Sequence, residues 1–177
     1  MSTQQGTSKA KADKGCVGAS TESGRRDPRL EAAQRRLRES AGQADTLEAI
    51  REIVTNLLGC EEIGLFTIRN GSSALLWSFG IDTEKHATLN SFQEAGLQLV
   101  LKGQLHVTQV ADEELNERPP LRAFIPILRD GRTVAVLVML KLLPQKLGFD
   151  NADIDLVNLL SSEAGRALFD GSANANT

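Results

Sequence analysis

Two apolar stretches in the second half of the chain lie on either side of a tight-turn pair. They span residues 121–128 and 133–142, and Asp130-Gly131 stands between them. An Asp-Gly pair between apolar runs is typical of a β-hairpin. The second stretch is apolar on both of its alternating faces, so we expect a central strand in a sheet covered on both sides. Pro126 cannot donate to a strand ladder, so we expect it at a bulge or an unpaired position.

A second hairpin is predicted at residues 61–69 and 72–79, which flank Asn70-Gly71, the favoured pair for a type I′ turn. Simple alternation along the second of these strands would place Leu75, Trp77 and Phe79 on one face.

Helical patterns precede the first hairpin and close the chain. Asp27-Pro28 predicts the start of a helix over residues 28–44, interrupted near Gly42. Asp45 is the expected cap of a second helix that ends at Gly59. A closing helix is predicted to run to about residue 169. The carboxylates at its start, Asp150, Asp153 and Asp155, fit the positive end of the helix dipole better than a metal site.

Residues 80–120 form a long connection between the two hairpins. We expect a polar loop over 80–90, and a helix from a capping box of Ser91 and Glu94 to about residue 102. A short strand at 105–108 and a loop at 111–120 complete it. The terminal helices should cover one face of the sheet, and this connection the other.

The motifs of residues 45–169 resemble those of a GAF domain. The resemblance rests on Ala123-Phe124-Ile125-Pro126-Ile127, Asp130-Gly131, Val134-Ala135-Val136-Leu137, Phe149 and Asp153. It implies an α+β, PAS-like fold with a central antiparallel sheet and helices on both faces. It also implies a domain at 45–170, which the helix at 28–44 precedes. Residues 1–27 are rich in Ser, Gly, Lys and Thr and predict a disordered tail, and a second disordered tail is expected at 171–177.

A regulatory role in signal transduction is what this resemblance implies, either by sensing a small molecule or by relaying a signal through protein partners. The ligand pocket of the family lies between the sheet and the connection. The candidate lining residues here are Trp77, Phe79, Gln98, His106 and Phe124. The sequence identifies no cofactor. The alternatives are a ligand-free dimerisation or scaffold domain and, more remotely, a thiol-dependent reductase built on Cys60.

The terminal helices carry more apolar positions than one sheet face requires, which favours a homodimer. Leu30 and Leu37 are seven residues apart, as on a narrow helix–helix seam. Leu156, Leu159 and Ala167 widen the stripe of the closing helix. The competing arrangement packs the first helix back onto its own domain.

Composition and the lack of certain motifs exclude several other classes of function. The chain has a net charge of −3, six Phe and no Tyr, so nucleic-acid binding is not expected. No apolar run is long enough for a membrane span or a signal peptide, which predicts a cytoplasmic protein. A bacterial protein is also expected. His86 and His106 are twenty residues apart and make a weak metal pair, and Cys60 is better explained as a structural residue. No catalytic set stands out, so the protein is not expected to be an enzyme.

Overall fold

The computed structural model describes residues 27–109, 121–146 and 148–170. Its five strands are β1 (Cys60–Arg69), β2 (Ser72–Phe79), β3 (His106–Gln109), β4 (Leu121–Arg129) and β5 (Arg132–Leu142). They form one sheet in the order β2-β1-β5-β4-β3, and all neighbouring strands are antiparallel. The predicted central strand, β5, lies in the middle of the sheet.

Within these described residues, four α-helices accompany the sheet: α1 (Pro28–Glu39), α2 (Gln43–Glu52), α3 (Leu97–Leu101) and α4 (Asn151–Phe169). A π-helical turn, Ile53–Leu57, extends α2, and a 3-10 helix, Leu89–Phe92, precedes α3. No helix among the described residues is long and apolar enough to cross a membrane.

Two apolar cores lie on opposite faces of the sheet, as the pattern of β5 predicts. The larger core joins α1, α2 and α4 to side chains such as Leu65, Ile125 and Leu137. The smaller core joins the connection to Phe66, Phe124 and Val136. The α+β architecture with helices on both faces of an antiparallel sheet is therefore confirmed.

Both predicted hairpins are confirmed by their turn geometry. Asn70 and Gly71 have φ angles of 50° and 78°, and Asp130 and Gly131 have φ angles of 51° and 73°. Two successive positive φ angles are the requirement of a type I′ turn, which Asn-Gly and Asp-Gly meet at low cost.

A β-bulge in β2 overturns the expected alternation of its side chains. Leu65 pairs with Trp77, but the next residue, Phe66, pairs with Leu75, which leaves Leu76 as the extra residue. A bulge shifts the register by one residue and so exchanges the two faces. Leu75 packs in the smaller core, whereas Leu76 and Trp77 pack against the larger one. The prediction that Leu75 and Trp77 share a face is wrong for this reason.

The α1–α2 turn differs from the prediction at its charged residues. Helix α1 ends at Glu39, and α2 begins at Gln43 after Gly42, so Asp45 lies inside α2 and does not cap it. The Asp45 carboxylate instead accepts a hydrogen bond from the Ala41 N–H at 2.8 Å and pairs with Arg36 at 2.9 Å. These contacts hold the C-terminal end of α1 to α2.

The start of α4 is a closed network around a buried carboxylate. Asp150 and Asp153 form a reciprocal capping box, in which each side chain accepts a hydrogen bond from the other's backbone N–H. Lys146 Nζ lies 2.8 Å from Asp153 Oδ1. The interpretation of these carboxylates as helix-start residues fits this geometry.

Helix α4 packs closely on β4 at Gly165. A Cβ at this position would collide with the carbonyl oxygen of Leu128, so only glycine fits. One turn earlier, the Ser161 hydroxyl donates to the Pro126 carbonyl at 2.5 Å. Pro126 pairs with Val136 of β5, and β3 pairs only with residues 121–124, so Pro126 has no strand partner on that side among the described residues.

The predictions for residues 1–26, 110–120 and 171–177 concern segments outside the described residues.

Candidate functional site

Aromatic side chains fill the middle of the face that the connection covers. Phe92 of the 3-10 helix stands edge-on to Phe66 and to Phe124, with both ring centroids at 5.7 Å. The His86 ring stacks on Phe92 at 4.3 Å. Buried aliphatic side chains surround these rings: Ile81, Leu89, Leu97, Val100, Val136, Val138 and Leu140.

His106 of β3 ties the connection to the edge of the sheet. Its Nε2 lies 2.9 Å from Glu94 Oε1, and both side chains are largely buried. The imidazole also fills the space beside Gly96, where a Cβ would collide with the ring. Glu94 was expected in a capping box with Ser91, but it bonds His106 and no helix begins at Ser91, so that prediction is wrong.

His86 takes part in a second local contact. Its Nδ1 lies 3.3 Å from the Ser91 hydroxyl oxygen. Burial lowers the pKa of His86, and the positive charge of Arg122 lowers it further. Across the described part of the chain, no three His, Cys, Asp or Glu side chains are grouped so that they could hold a metal ion.

The five candidate pocket residues do not come together. Phe124 and His106 are neighbours, with ring centroids 6.0 Å apart. Trp77 packs against the larger core on the other face of the sheet. Phe79 is 41 % exposed, and the guanidinium of Arg51 lies 5.5 Å from its ring centroid.

Gln98 lines a cavity of about 70 Å³ between the connection and the first hairpin. Its other walls include Ile68, Ser73, Leu89 and Leu101. Pockets that hold small organic ligands are typically about 300–1,000 Å³. This cavity therefore has room for little more than water.

A larger, open groove of about 620 Å³ lies at the C-terminal ends of α1 and α4. Its lining is Leu37, Arg38, Ser40, Gly42, Ser162, Glu163, Arg166, Ala167 and Asp170. Arg38 Nε lies 3.8 Å from Glu163 Oε2 across the groove. Charges of both signs therefore line this groove, which lies on the helical side of the molecule, away from the aromatic core.

The sequence model of the GAF domain matches residues 40–168. The chain belongs to the GAF domain family. The matched segment contains the whole sheet together with α2, α3 and almost all of α4. No curated protein matches the chain.

Solved GAF structures share this fold. A GAF domain of an Acinetobacter phosphoenolpyruvate-protein phosphotransferase is 18 % identical, with 84 % of this chain and 95 % of that chain covered and a TM-score of 0.59. The GAF domain of a Bacillus halodurans two-component sensor histidine kinase is 14 % identical, with 73 % and 95 % covered and a TM-score of 0.56. A GAF domain/HD domain protein from Geobacter sulfurreducens is 12 % identical, with 76 % and 97 % covered and a TM-score of 0.57.

In this GAF domain the candidate dimer residues lie mostly inside the chain's own core. Leu37, Leu156 and Leu159 are buried, and Leu30 packs against the same core because α1 lies on α4. Ala167 is half-buried beside the open groove. The first helix therefore packs back on its own domain, which was the competing arrangement. Neither α1 nor α4 exposes a large apolar side chain.

Cys60 begins β1 and is buried. Burial raises the pKa of the Cys60 thiol, which donates a hydrogen bond to the Glu62 carbonyl at 3.3 Å. A buried neutral thiol is a weak nucleophile. The geometry therefore fits a structural residue.

Sequence reasoning missed the partners that hold the site in place. Glu94 contacts His106, and Lys146 contacts Asp153 at the start of α4, but neither pair has a spacing that a single helix or hairpin would bring together. Gly96 does not have a positive φ angle, so the backbone itself does not require glycine there. This glycine is a local sequence signal that another side chain, the His106 imidazole, packs against the backbone.

Proposed function

We propose that this GAF domain is a regulatory module that relays a signal through contacts with protein partners. The family assignment supports a signalling role, and related folds occur in a sensor histidine kinase and a phosphotransferase. The observation that carries the relay role is the filled aromatic core between the sheet and the connection. Where the family resemblance places a ligand pocket, Phe66, Phe92 and Phe124 pack edge to face.

Aromatic packing at this position has an energetic consequence. Three buried rings and the surrounding aliphatic side chains stabilise the closed connection by apolar burial and by edge-to-face contacts. A ligand at this position would have to displace at least one ring into water. The resting state therefore favours a connection that stays closed on the sheet.

Small-molecule sensing is the second candidate function. The groove of about 620 Å³ beside α4 favours it, because its size falls in the range of ligand pockets and it carries both charge signs. A ligand could instead bind on the connection face of the sheet, and for that site Gln98, His106 and Phe124 are the proposed contacts. Trp77 and Phe79 are proposed instead as part of the opposite surface.

Thermal denaturation with a panel of nucleotides, amino acids, keto acids and tetrapyrroles tests the choice. A ligand present at one hundred times its dissociation constant stabilises a protein by about 2.7 kcal/mol. The relay role predicts no rise in Tm with any compound. A rise of several degrees that saturates with one compound supports sensing, and its loss in Arg166→Ala or in His106→Ala locates the site.

The oligomeric state, the location in the cell and the absence of catalysis are further parts of this proposal. We propose that the domain works as a homodimer in the bacterial cytoplasm and catalyses no reaction itself. The buried Cys60 supports the absence of thiol chemistry, since a reductase needs an accessible thiolate. Thiol-dependent turnover that Cys60→Ser abolishes would contradict this. We also propose that the folded unit runs from about residue 28 to 170, because α1 shares its core.

A further inference from the structure

Strand β2 is an edge of the sheet, and its sequence lacks the charge and proline that usually protect an edge strand. It is eight residues long, with the sequence SSALLWSF, and contains no charged residue and no proline. Natural edge strands are commonly shortened, charged or interrupted by proline, because their free N–H and C=O groups pair readily with another chain. The opposite edge strand, β3, has only four residues. Among the described residues, no backbone–backbone hydrogen bond from outside the sheet reaches β2, although the Leu89 N–H donates to the Ser73 hydroxyl oxygen at 2.9 Å near the start of the strand.

Apolar side chains accompany this edge. Leu76 and Trp77 are half-buried, and Phe79 is 41 % exposed on the end of the strand. In the part of the chain that the structure describes, the large exposed apolar residues outside β2 are on α3 and β3, not on the terminal helices. The bulge at Leu76 twists the edge but leaves both halves of the strand unpaired on the outer side.

The two ends of β2 carry opposite charge. At its start the turns of both hairpins lie together, because Thr67 pairs with both Ala74 and Ala135. The exposed charges at this end that have no ion-pair partner among the described residues are basic, Arg69 and Arg132, whereas Arg129 is paired with Asp130 and Asp170. At the other end Glu61 is paired with Lys141 and Asp82 with Lys85, and the charges that have no ion-pair partner among the described residues are acidic, Glu62 and Glu84.

We propose that the β2 edge binds the β2 edge of a second copy of this chain, antiparallel and about a twofold axis. A neutral strand pairs with its own copy without like-charge repulsion. The antiparallel arrangement sets the basic end of one copy beside the acidic end of the other, at both ends of the interface. A parallel arrangement would set like charges together, so the charge distribution selects the twofold dimer.

This inference deepens the homodimer of the proposed function by naming its surface, and the relay role does not depend on it. Because Ala74 is exposed near the middle of β2, a charge there should leave the fold intact. The test introduces a charge of either sign at Ala74 and measures sedimentation velocity on the full chain across a range of concentrations.

We expect wild-type protein to dimerise at micromolar concentrations, and more weakly at high salt. Ala74→Lys and Ala74→Glu should each weaken self-association about tenfold or more, because either charge enters the uncharged middle of the interface. Leu99→Lys, which places the same charge on an exposed residue of α3, is the matched control and should dimerise like the wild type.

Two results overturn the proposal. If the wild-type chain stays monomeric at about 100 µM, both the homodimer and the proposed interface are wrong. If both Ala74 variants still dimerise like the wild type, the chain is a homodimer but its interface lies on another surface. Neither result changes the ligand test of the relay role, so the two proposals fail separately.

Discussion

Arg29 of α1 forms an ion pair with Asp153 of α4, with Nη1 of Arg29 3.5 Å from Oδ1 of Asp153. The Asp153 carboxylate is 1 % exposed and also contacts Lys146 and the Asp150 N–H. One buried carboxylate thus joins the first helix, the segment after β5 and the closing helix. The cost of burying it is offset only because each of its oxygens has partners.

Asp153→Asn should therefore destabilise the domain strongly. The change removes the negative charge and leaves Lys146, which is itself mostly buried, without its counter-charge. Loss of one partner of a buried pair typically costs about 3 kcal/mol or more. Urea denaturation measures the change. Asp155→Asn is the matched control, because Asp155 is exposed in the same turn, and its effect should stay within about 0.5 kcal/mol. Equal effects of the two variants would contradict the account.

Stability should fall on acidification before the carboxylates titrate. Burial lowers the pKa of His86 below its ordinary value of 6.5, so the unfolded chain binds a proton more readily than the folded one. Unfolding is then favoured as pH falls below 6.5, because stability rises with pH wherever the unfolded state holds more protons. Denaturation at pH 7.5 and pH 5 measures this loss.

His86→Phe keeps an aromatic ring on Phe92 and removes the titrating group. The variant should lose less stability between pH 7.5 and pH 5 than the wild type. A loss as large as that of the wild type would show that His86 is not its source.

Gly165→Ala should destabilise the domain although alanine is the better helix former. A substitution of glycine by alanine inside a helix normally stabilises by about 1 kcal/mol. Here the new methyl group would collide with the Leu128 carbonyl and push α4 off β4. Overpacking of this kind costs about 1–3 kcal/mol. Thermal denaturation should show a lower Tm, whereas Gly148→Ala, where nothing lies within 4 Å, should change it little. A raised Tm for Gly165→Ala would refute the close approach.

Local sequence signals predicted the elements whose geometry is decided locally. The Asn70-Gly71 and Asp130-Gly131 turns, the doubly apolar β5 and the long stripe of α4 all appear as expected. The bulge at Leu76 had no sequence signal, because a register shift depends on how Phe66 packs against the connection.

The site itself was less predictable for a related reason. Glu94 stands three residues after Ser91, which is a valid capping spacing, but a tertiary bond to His106 takes its carboxylate instead. The apolar stripes of α1 and α4 were read as surplus surface. They are satisfied by each other, since the two helices pack side by side on the same core.

Methyl NMR on protein labelled at Leu and Val tests the central claim most directly, because it reports on the filled core itself. Leu97, Val100 and Val136 line the space beside Phe92 and Phe124. The relay account predicts that none of their methyl signals shifts when nucleotides, amino acids, keto acids or tetrapyrroles are titrated in. A saturable shift of the Leu97 and Val136 methyl signals with one compound would show that the core opens to a ligand, and would contradict the account.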